Sequence, residues 1–217
     1  MSRNRETAGL LPGLAQPPEA RRVYLSFDDG PDPRWTPRIL DLLAQADVLA
    51  TFFLVGRRAL AQPALVRRIA AAGHALGNHT FSHRHPWTMA APTARKEVRD
   101  GAAAVADLTG VAPRFFRPPH RRLRRCMLEE AMRGGQALAL WDLSAVDWGP
   151  LGAARTIARR LAATQAGDIV LMHDGGQGIN RPAELVEALP GFLADLGRRG
   201  LMPALLPEAA ERHAPRA

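Results

Sequence analysis

The residues best suited to chemistry lie in a few short stretches. SFDDG (26–30) sets Asp28 and Asp29 side by side, followed by Gly30 and Pro31. GNHTFSH (77–83) carries His79 and His83, and FFRPPH (115–120) carries Arg117 and His120. Asp142 and Asp147 lie in WDLSAVDW (141–148), and His173 ends IVLMH (169–173), with Asp174 next. Adjacent carboxylates repel, so a fold that keeps both must give them different partners. At a bending strand end the two can point in different directions. One can then ligate a cation while the other stays free to take a proton from bound water, and the cation offsets their repulsion. Gly30 supplies freedom for the turn and Pro31 stiffens its exit.

His79 and His83 are spaced i, i+4. If that segment turns helically, both imidazoles lie on one face, as a metal site requires. Alone, HxxxH also suits two surface histidines. With a carboxylate from another strand end it becomes a two-His-one-carboxylate site with open positions. Zinc there holds a water of lowered pKa and a substrate oxygen. Ferrous iron there activates dioxygen, so the ligand set leaves the reaction open.

Positioning these groups requires an alternating chain. Strands are expected at 23–27, 50–55, 74–79, 114–117, 137–143, 168–173 and 201–206. Helices are expected at 36–46, 63–73, 93–110, 126–135, 154–165 and 182–200. The first helix is read as capped by Thr36 with Pro37 at its first position, and the last as interrupted by Pro190. Seven strands alternating with six helices argue for parallel strands with crossover helices, as an open doubly wound sheet or a barrel. No GxGxxG or GxxxxGK[ST] follows a strand, which removes the usual nucleotide-binding sheets. In a parallel barrel the C-terminal strand ends converge on one face. Those ends carry the ionisable residues above, which stability alone does not explain.

The 217 residues suffice for one domain with a full core, and there is no internal repeat or linker. Residues 1–20 are expected to be a flexible segment, 21–207 the catalytic domain and 208–217 a tail. No apolar run reaches the roughly 20 residues of a membrane helix. The N-terminus carries only GLLPGLA, too weak for a secretory signal, and the single cysteine, Cys126, fits a reducing compartment, so a cytoplasmic location is expected. The net charge of +8 comes almost wholly from arginine, Lys96 being the one lysine. Scattered arginines without a basic-aromatic stripe read as a solvated surface, so neither nucleic acid nor membrane is an expected partner, and a monomer is expected.

SFDDG, NHTFSH, FFRPPH, WDLSAVDW and IVLMH, in this order and spacing, resemble the motifs of the polysaccharide deacetylase family, also called carbohydrate esterase family 4 or the NodB-homology domain. The resemblance covers about residues 22–206 and is greatest to small chitooligosaccharide deacetylases. It implies a distorted (β/α)7 barrel and a divalent metal, usually zinc, with cobalt or another cation as alternatives. Asp29, His79 and His83 would be ligands, and Asp28 the general base that deprotonates the attacking water. The metal and the backbone N–H of residue 120 would stabilise the oxyanion. His173 would protonate the departing sugar amine, Asp147 would orient His173 and favour its charged form, and Arg117 would pair with Asp28. Leu171 and Trp148 would form an apolar pocket for the acetyl methyl. The implied substrate is an N-acetylated amino sugar.

Three departures from the family pattern bear on substrate. His120 stands where the family usually has tyrosine, Arg121 where glycine is common, and Ser144 in place of an aspartate. RRLRR (121–125) puts bulk and positive charge near the cleft, which would suit an acidic or phosphorylated acetamido compound. His85 and Trp87 are read as loop packing, His74 and His213 as structural or solvated, and Cys126 as buried and inert. Rival readings are a cyclic amide or imide hydrolase of the same superfamily, an iron oxygenase, and an inactive binding module. The last needs neither the acid nor the base that this chain retains.

Overall fold

The computed structural model describes residues 21–207. The expected loose ends at 1–20 and 208–217 lie outside the described residues. The chain forms β1 (Arg22–Asp28), α1 (Thr36–Gln45), β2 (Thr51–Leu54), α2 (Gly56–Ala61), α3 (Pro63–Ala71), β3 (Ala75–Asn78) and α4 (Ala91–Thr109). It continues through β4 (Phe115–Phe116), α5 (Arg125–Arg133), β5 (Ala137–Leu138), β6 (Leu143–Ser144), α6 (Ala154–Leu161), β7 (Ile169–His173), α7 (Pro182–Arg198) and β8 (Met202–Ala204). One parallel sheet runs β5-β4-β3-β2-β1-β7-β6, with β8 paired to the start of β1. The result is a single α/β domain with a curled parallel sheet, as the distorted barrel requires. Among the described residues no helix is long and apolar enough to cross a membrane.

Strand parity sorts the side chains. Val23, Leu25 and Phe27 of β1 join the main core with Ile39 and Leu43 of α1, while Tyr24 belongs to an inner cluster with Phe53 and Phe115. Val170 and Met172 of β7 likewise face the main core, and Ile169 joins the inner cluster. Successive residues of a strand face opposite sides. Ser26 and Asp28, Leu171 and His173, and Arg117 beyond Phe115 therefore share the inner face.

The expected fifth strand, 137–143, is two strands. β5 and β6 end opposite edges of the sheet, and residues 139–142 span the break between them. The carbonyls freed there are taken by a buried side chain. Arg117 donates from Nε to Ala139 O at 2.9 Å and from its second terminal nitrogen to Leu140 O at 3.1 Å. Its other terminal nitrogen reaches Ser26 Oγ at 2.9 Å and Asp28 Oδ1 at 2.7 Å. The guanidinium lies over the Phe53 ring at 3.9 Å. One 0 % exposed arginine thus ties the seam of the sheet to the end of its central strand.

Two further expectations change, and one helix is added. Thr36 is not a helix cap: Asp32 Oδ1 accepts from Arg34 N and Trp35 N, while the Thr36 hydroxyl donates to Asp174. Residues 56–61 form a short helix, too brief to carry a readable period. Helix α7 runs unbroken through Pro190, because Leu189, Phe192 and Leu193 are anchored in the core on either side of it.

Glycine contacts yield an opposed pair of outcomes. An alanine in a helix gains roughly 1 kcal/mol over glycine from propensity. At Gly191 of α7 an added Cβ meets nothing within 4 Å, so Gly191→Ala should raise the urea midpoint. At Gly101 of α4 it would lie 2.4 Å from Asn78 Oδ1 and 2.6 Å from the Thr80 carbonyl carbon, so Gly101→Ala should lower it. Equal shifts would refute this packing of α4. Arg117→Met leaves Asp28 and the seam carbonyls unpaired and should cost about 3–5 kcal/mol in the same measurement. Adding Asp28→Asn should restore part of that loss, and strict additivity would show that the pair is not coupled.

Candidate active site

Asp28 and Asp29 divide their partners. Asp28 ends β1 on the inner face, with Oδ1 held by Arg117 at 2.7 Å. Strand alternation would send Asp29 outward. Instead it adopts φ 74°, in the left-handed region, which re-aims its side chain. The bend is held from outside, because Arg58 donates to the Asp29 carbonyl oxygen. Asp174 passes beneath it so closely that a Cβ on Gly30 would lie 2.1 Å from Asp174 Oδ2. A Cβ on Gly175 would meet the Asp29 carbonyl oxygen at 2.5 Å. These two turns interleave only because both positions are glycine.

His79 and His83 arrive on a non-helical loop, contrary to the helical turn considered above: Thr80 and His83 have φ values of 65° and 58°. Helix α4 shapes that loop. The Ser82 backbone and hydroxyl both donate to Glu97, at 2.7 and 2.6 Å, and the Thr80 N–H donates to Asn78 Oδ1 at 3.0 Å. Asn78 in turn donates to Val98 O at 2.8 Å and Gln136 Oε1 at 2.9 Å. Asp29 Oδ1 then lies 2.9 Å from His83 Nε2 and 3.4 Å from His79 Nε2, and Asp28 Oδ2 lies 3.7 Å from His79 Nε2.

This cluster fits a divalent cation. One ligand atom from each of Asp29, His79 and His83 lies within 4.8 Å of the others. His79 Nδ1 is 2.8 Å from the carbonyl oxygen of Arg117, which can only accept, so Nδ1 carries the proton and Nε2 turns a lone pair toward the carboxylates. Asp29 Oδ1 is buried and has no hydrogen-bond donor, while Oδ2 accepts from Asn180 Nδ2 at 2.7 Å. Lone pairs converging around an orphaned oxygen form a donor set that a cation completes.

His173 lies at the end of β7, in register with Asp28 on β1. Asp147 grips it twice, accepting from the backbone N–H at 2.7 Å and facing Nδ1 at 2.8 Å. Burial alone would lower the imidazole, but the Asp147 charge and hydrogen bond lift it to about 9. Leu171 is buried two residues earlier on the same face, whereas Trp148 is 40 % exposed and bridges to Asn180. His120 packs its edge against His83, at 4.7 Å between centroids, and stacks on His85 at 5.3 Å. It is not in the ligand cluster, and burial together with His83 and His85 lowers its pKa.

Asp142, grouped by sequence with the reactive strand ends, is elsewhere. Its carboxylate accepts from the Ile169 N–H at 3.0 Å, at the opposite end of β7 from His173. Sequence reasoning missed Asn180, whose loop carries no periodic signal, and gave Asp174 no role. Asp174 is fully buried, its Oδ1 has no partner, and Thr36 Oγ1 donates to Oδ2 at 2.5 Å. Burial, with the charges of Asp29 and Asp28 nearby, raises it to about 7 against the Thr36 hydrogen bond. His74 is structural, accepting from Ala50 N at 3.2 Å, and Cys126 is buried.

Comparison with known proteins agrees with this architecture. The chain is 36% identical to a chitooligosaccharide deacetylase of Bradyrhizobium over 197 residues, covering 87% of this chain and 90% of the relative. It is 33% identical to a peptidoglycan-N-acetylglucosamine deacetylase of Bacillus cereus over 186 residues, 85% of each chain. A crystal structure of a peptidoglycan N-acetylglucosamine deacetylase superposes with a TM-score of 0.81 at 34% identity, covering 88% of both chains. A family model described as polysaccharide deacetylase matches residues 15–138, more than half of the chain. With that match and relatives above 30% identity along most of its length, this chain belongs to the polysaccharide deacetylase family.

Proposed function

We propose that this protein is a metal-dependent N-deacetylase that hydrolyses the acetamide of an N-acetylated amino sugar. The observation that carries the reading is the placement of two proton-transfer groups about the Asp29–His79–His83 cluster. Asp28 turns its Oδ2 toward the cluster, 3.7 Å from His79 Nε2, and His173 lies on the neighbouring strand with its Nδ1 held by Asp147. The relatives' names, which share an N-acetylated glucosamine or chitin oligosaccharide, support the substrate class.

Asp29, His79 and His83 would hold the cation; the donor set suits zinc as well as ferrous iron, and the family resemblance points to zinc. When bound, the ion supplies a water of lowered pKa and a Lewis-acid contact for the acetyl carbonyl oxygen. Arg117 anchors Oδ1 of Asp28 and leaves Oδ2 as the base that takes a proton from the attacking water. Oxygen bonds to the acetyl carbon, and, as the family resemblance implies, the backbone N–H of His120 would stabilise the charge that develops on the carbonyl oxygen. An amine leaves poorly unless protonated, so His173 delivers its Nε2 proton to nitrogen as the C–N bond breaks. Asp147 keeps Nδ1 occupied and stabilises the charged ring. Leu171 and Trp148 would form the apolar pocket for the acetyl methyl, as the family resemblance implies. Every group named comes from one chain, so a monomer suffices.

Acetate release from chitin oligomers tests the reading. Asp28→Asn should lower kcat by about 10²-fold or more, the scale of general-base catalysis. His79→Ala and His83→Ala should each lose stoichiometric zinc on elemental analysis. Full turnover by either histidine variant after exhaustive chelation would overturn the metal assignment. The pH profile is a separate check. His173 must be protonated to act, and it loses its proton as pH rises through about 9, so activity should fall on the alkaline side. Asp147→Asn removes the carboxylate that raises His173 and should move that limb down by about one unit or more. An unmoved limb would remove His173 from the role of acid.

A further inference from the structure

Within RRLRR (121–125) the arginines fall into two classes. Arg124 donates to the carbonyls of Pro86 and Met89, and Arg125 donates from Nε to Glu129 at 2.8 Å. These two hold structure together. Arg121 and Arg122 are exposed, and neither is paired with a carboxylate among the described residues. Each guanidinium instead rests on an aromatic face, Arg121 over Trp141 at 5.3 Å and Arg122 over Trp87 at 4.8 Å.

The backbone sends them there. His120 and Arg121 both adopt left-handed values, φ 57° and 56°. Two consecutive non-glycine residues in that region cost strain and fix the direction of the side chains that follow. Both rings touch residues that support the active site. Trp141 also lies 5.6 Å from the Arg117 guanidinium, which holds Asp28. Trp87 contacts His85, which stacks on His120, which packs against the ligand His83. Two cations without a carboxylate partner are thus linked to the site by short relays of contacts, one through Trp141 and Arg117 and one through Trp87, His85 and His120, each steadied on an indole face.

We infer that Arg121 and Arg122 select acetamido sugars that carry an anionic group, a carboxylate or a phosphate, beside the N-acetyl unit. This rests on the deacetylase reading and names its substrate class. A planar guanidinium held on an aromatic face keeps its N–H fork free for a carboxylate or phosphate. The charge is a recognition element only and takes no part in the bond changes.

The test compares matched ligands on the zinc-loaded protein. Di-N-acetylchitobiose is set against the disaccharide of N-acetylglucosamine and N-acetylmuramic acid for the carboxylate arm. N-acetylglucosamine is set against its 1-phosphate for the phosphate arm. Affinities are measured by calorimetry on His173→Gln, in which turnover is slowed, and kcat/KM by acetate release on the otherwise unaltered enzyme. The anionic-to-neutral ratio should exceed one in at least one arm and shrink as salt is raised. Arg121→Gln or Arg122→Gln should cut it about tenfold, equivalent to about 1.4 kcal/mol, while Arg125→Gln should leave it in place. The arm that responds identifies carboxylate or phosphate. Acetate release without any charge preference, or a preference untouched by both substitutions, overturns the inference and spares the deacetylase reading. A charge-dependent affinity that both substitutions abolish, without acetate release from any ligand, upholds anion recognition and overturns the deacetylase reading.

Discussion

The structure depends on one buried ion pair. Arg117 is fully enclosed, and a guanidinium without water is tolerable only if its donors are used and its charge is met. Asp28 supplies the charge, Ser26 a hydroxyl, and the seam carbonyls of Ala139 and Leu140 the remaining acceptors. A single side chain thereby closes a break between two sheet edges and orients the carboxylate at the mouth. Burial lowers the Arg117 pKa and Asp28 offsets part of that cost, so substituting either partner leaves the other buried without its counterpart. Stability and reactive geometry are here the same contact.

From that anchor the adjacent aspartates become intelligible. Asp28 faces inward because β1 alternates, and its charge is met by Arg117. Asp29 is brought to the same side only by a left-handed turn, where its carboxylate accepts from the Asn180 amide and faces two imidazoles. Arg58 ties down the turn from behind, while Gly30 and Gly175 let a second turn pass close to it. Repulsion between neighbouring carboxylates is thus resolved by giving each a distinct set of partners. Asp174, shut away from solvent beside the other two carboxylates, is instead pushed toward its neutral form.

Much of the fold was legible. Alternating apolar runs and helical periods located most strands and helices, because buried parallel strands read as continuous hydrophobic segments. The failures have specific causes. ALALWDL looked like one strand because its composition is uniform, yet Arg117 claims the carbonyls in its middle. Thr36 carries the right side chain for a cap, but Asp174 takes its hydroxyl. Pro190 has the look of a helix breaker, and core packing on both sides of it overrides the local penalty. Asp142 was misplaced with the reactive groups because the broken strand carried it to the other end of β7.

Residue types, their order and their parity along each strand were determined by the sequence alone. They assembled a possible cation site with a base beside it, since the side-chain alternation of a strand is a local property, and the resemblance of five stretches to a known family added the acid. What only the tertiary structure decided is which group meets which. The Arg117–Asp28 contact joins positions 89 apart and the Asn180–Asp29 contact positions 151 apart, beyond the reach of any periodicity. The sorting of RRLRR into structural and unpaired arginines is of the same kind. It depends on where Glu129, Trp141 and Trp87 lie in space, and local propensity carries no information about that.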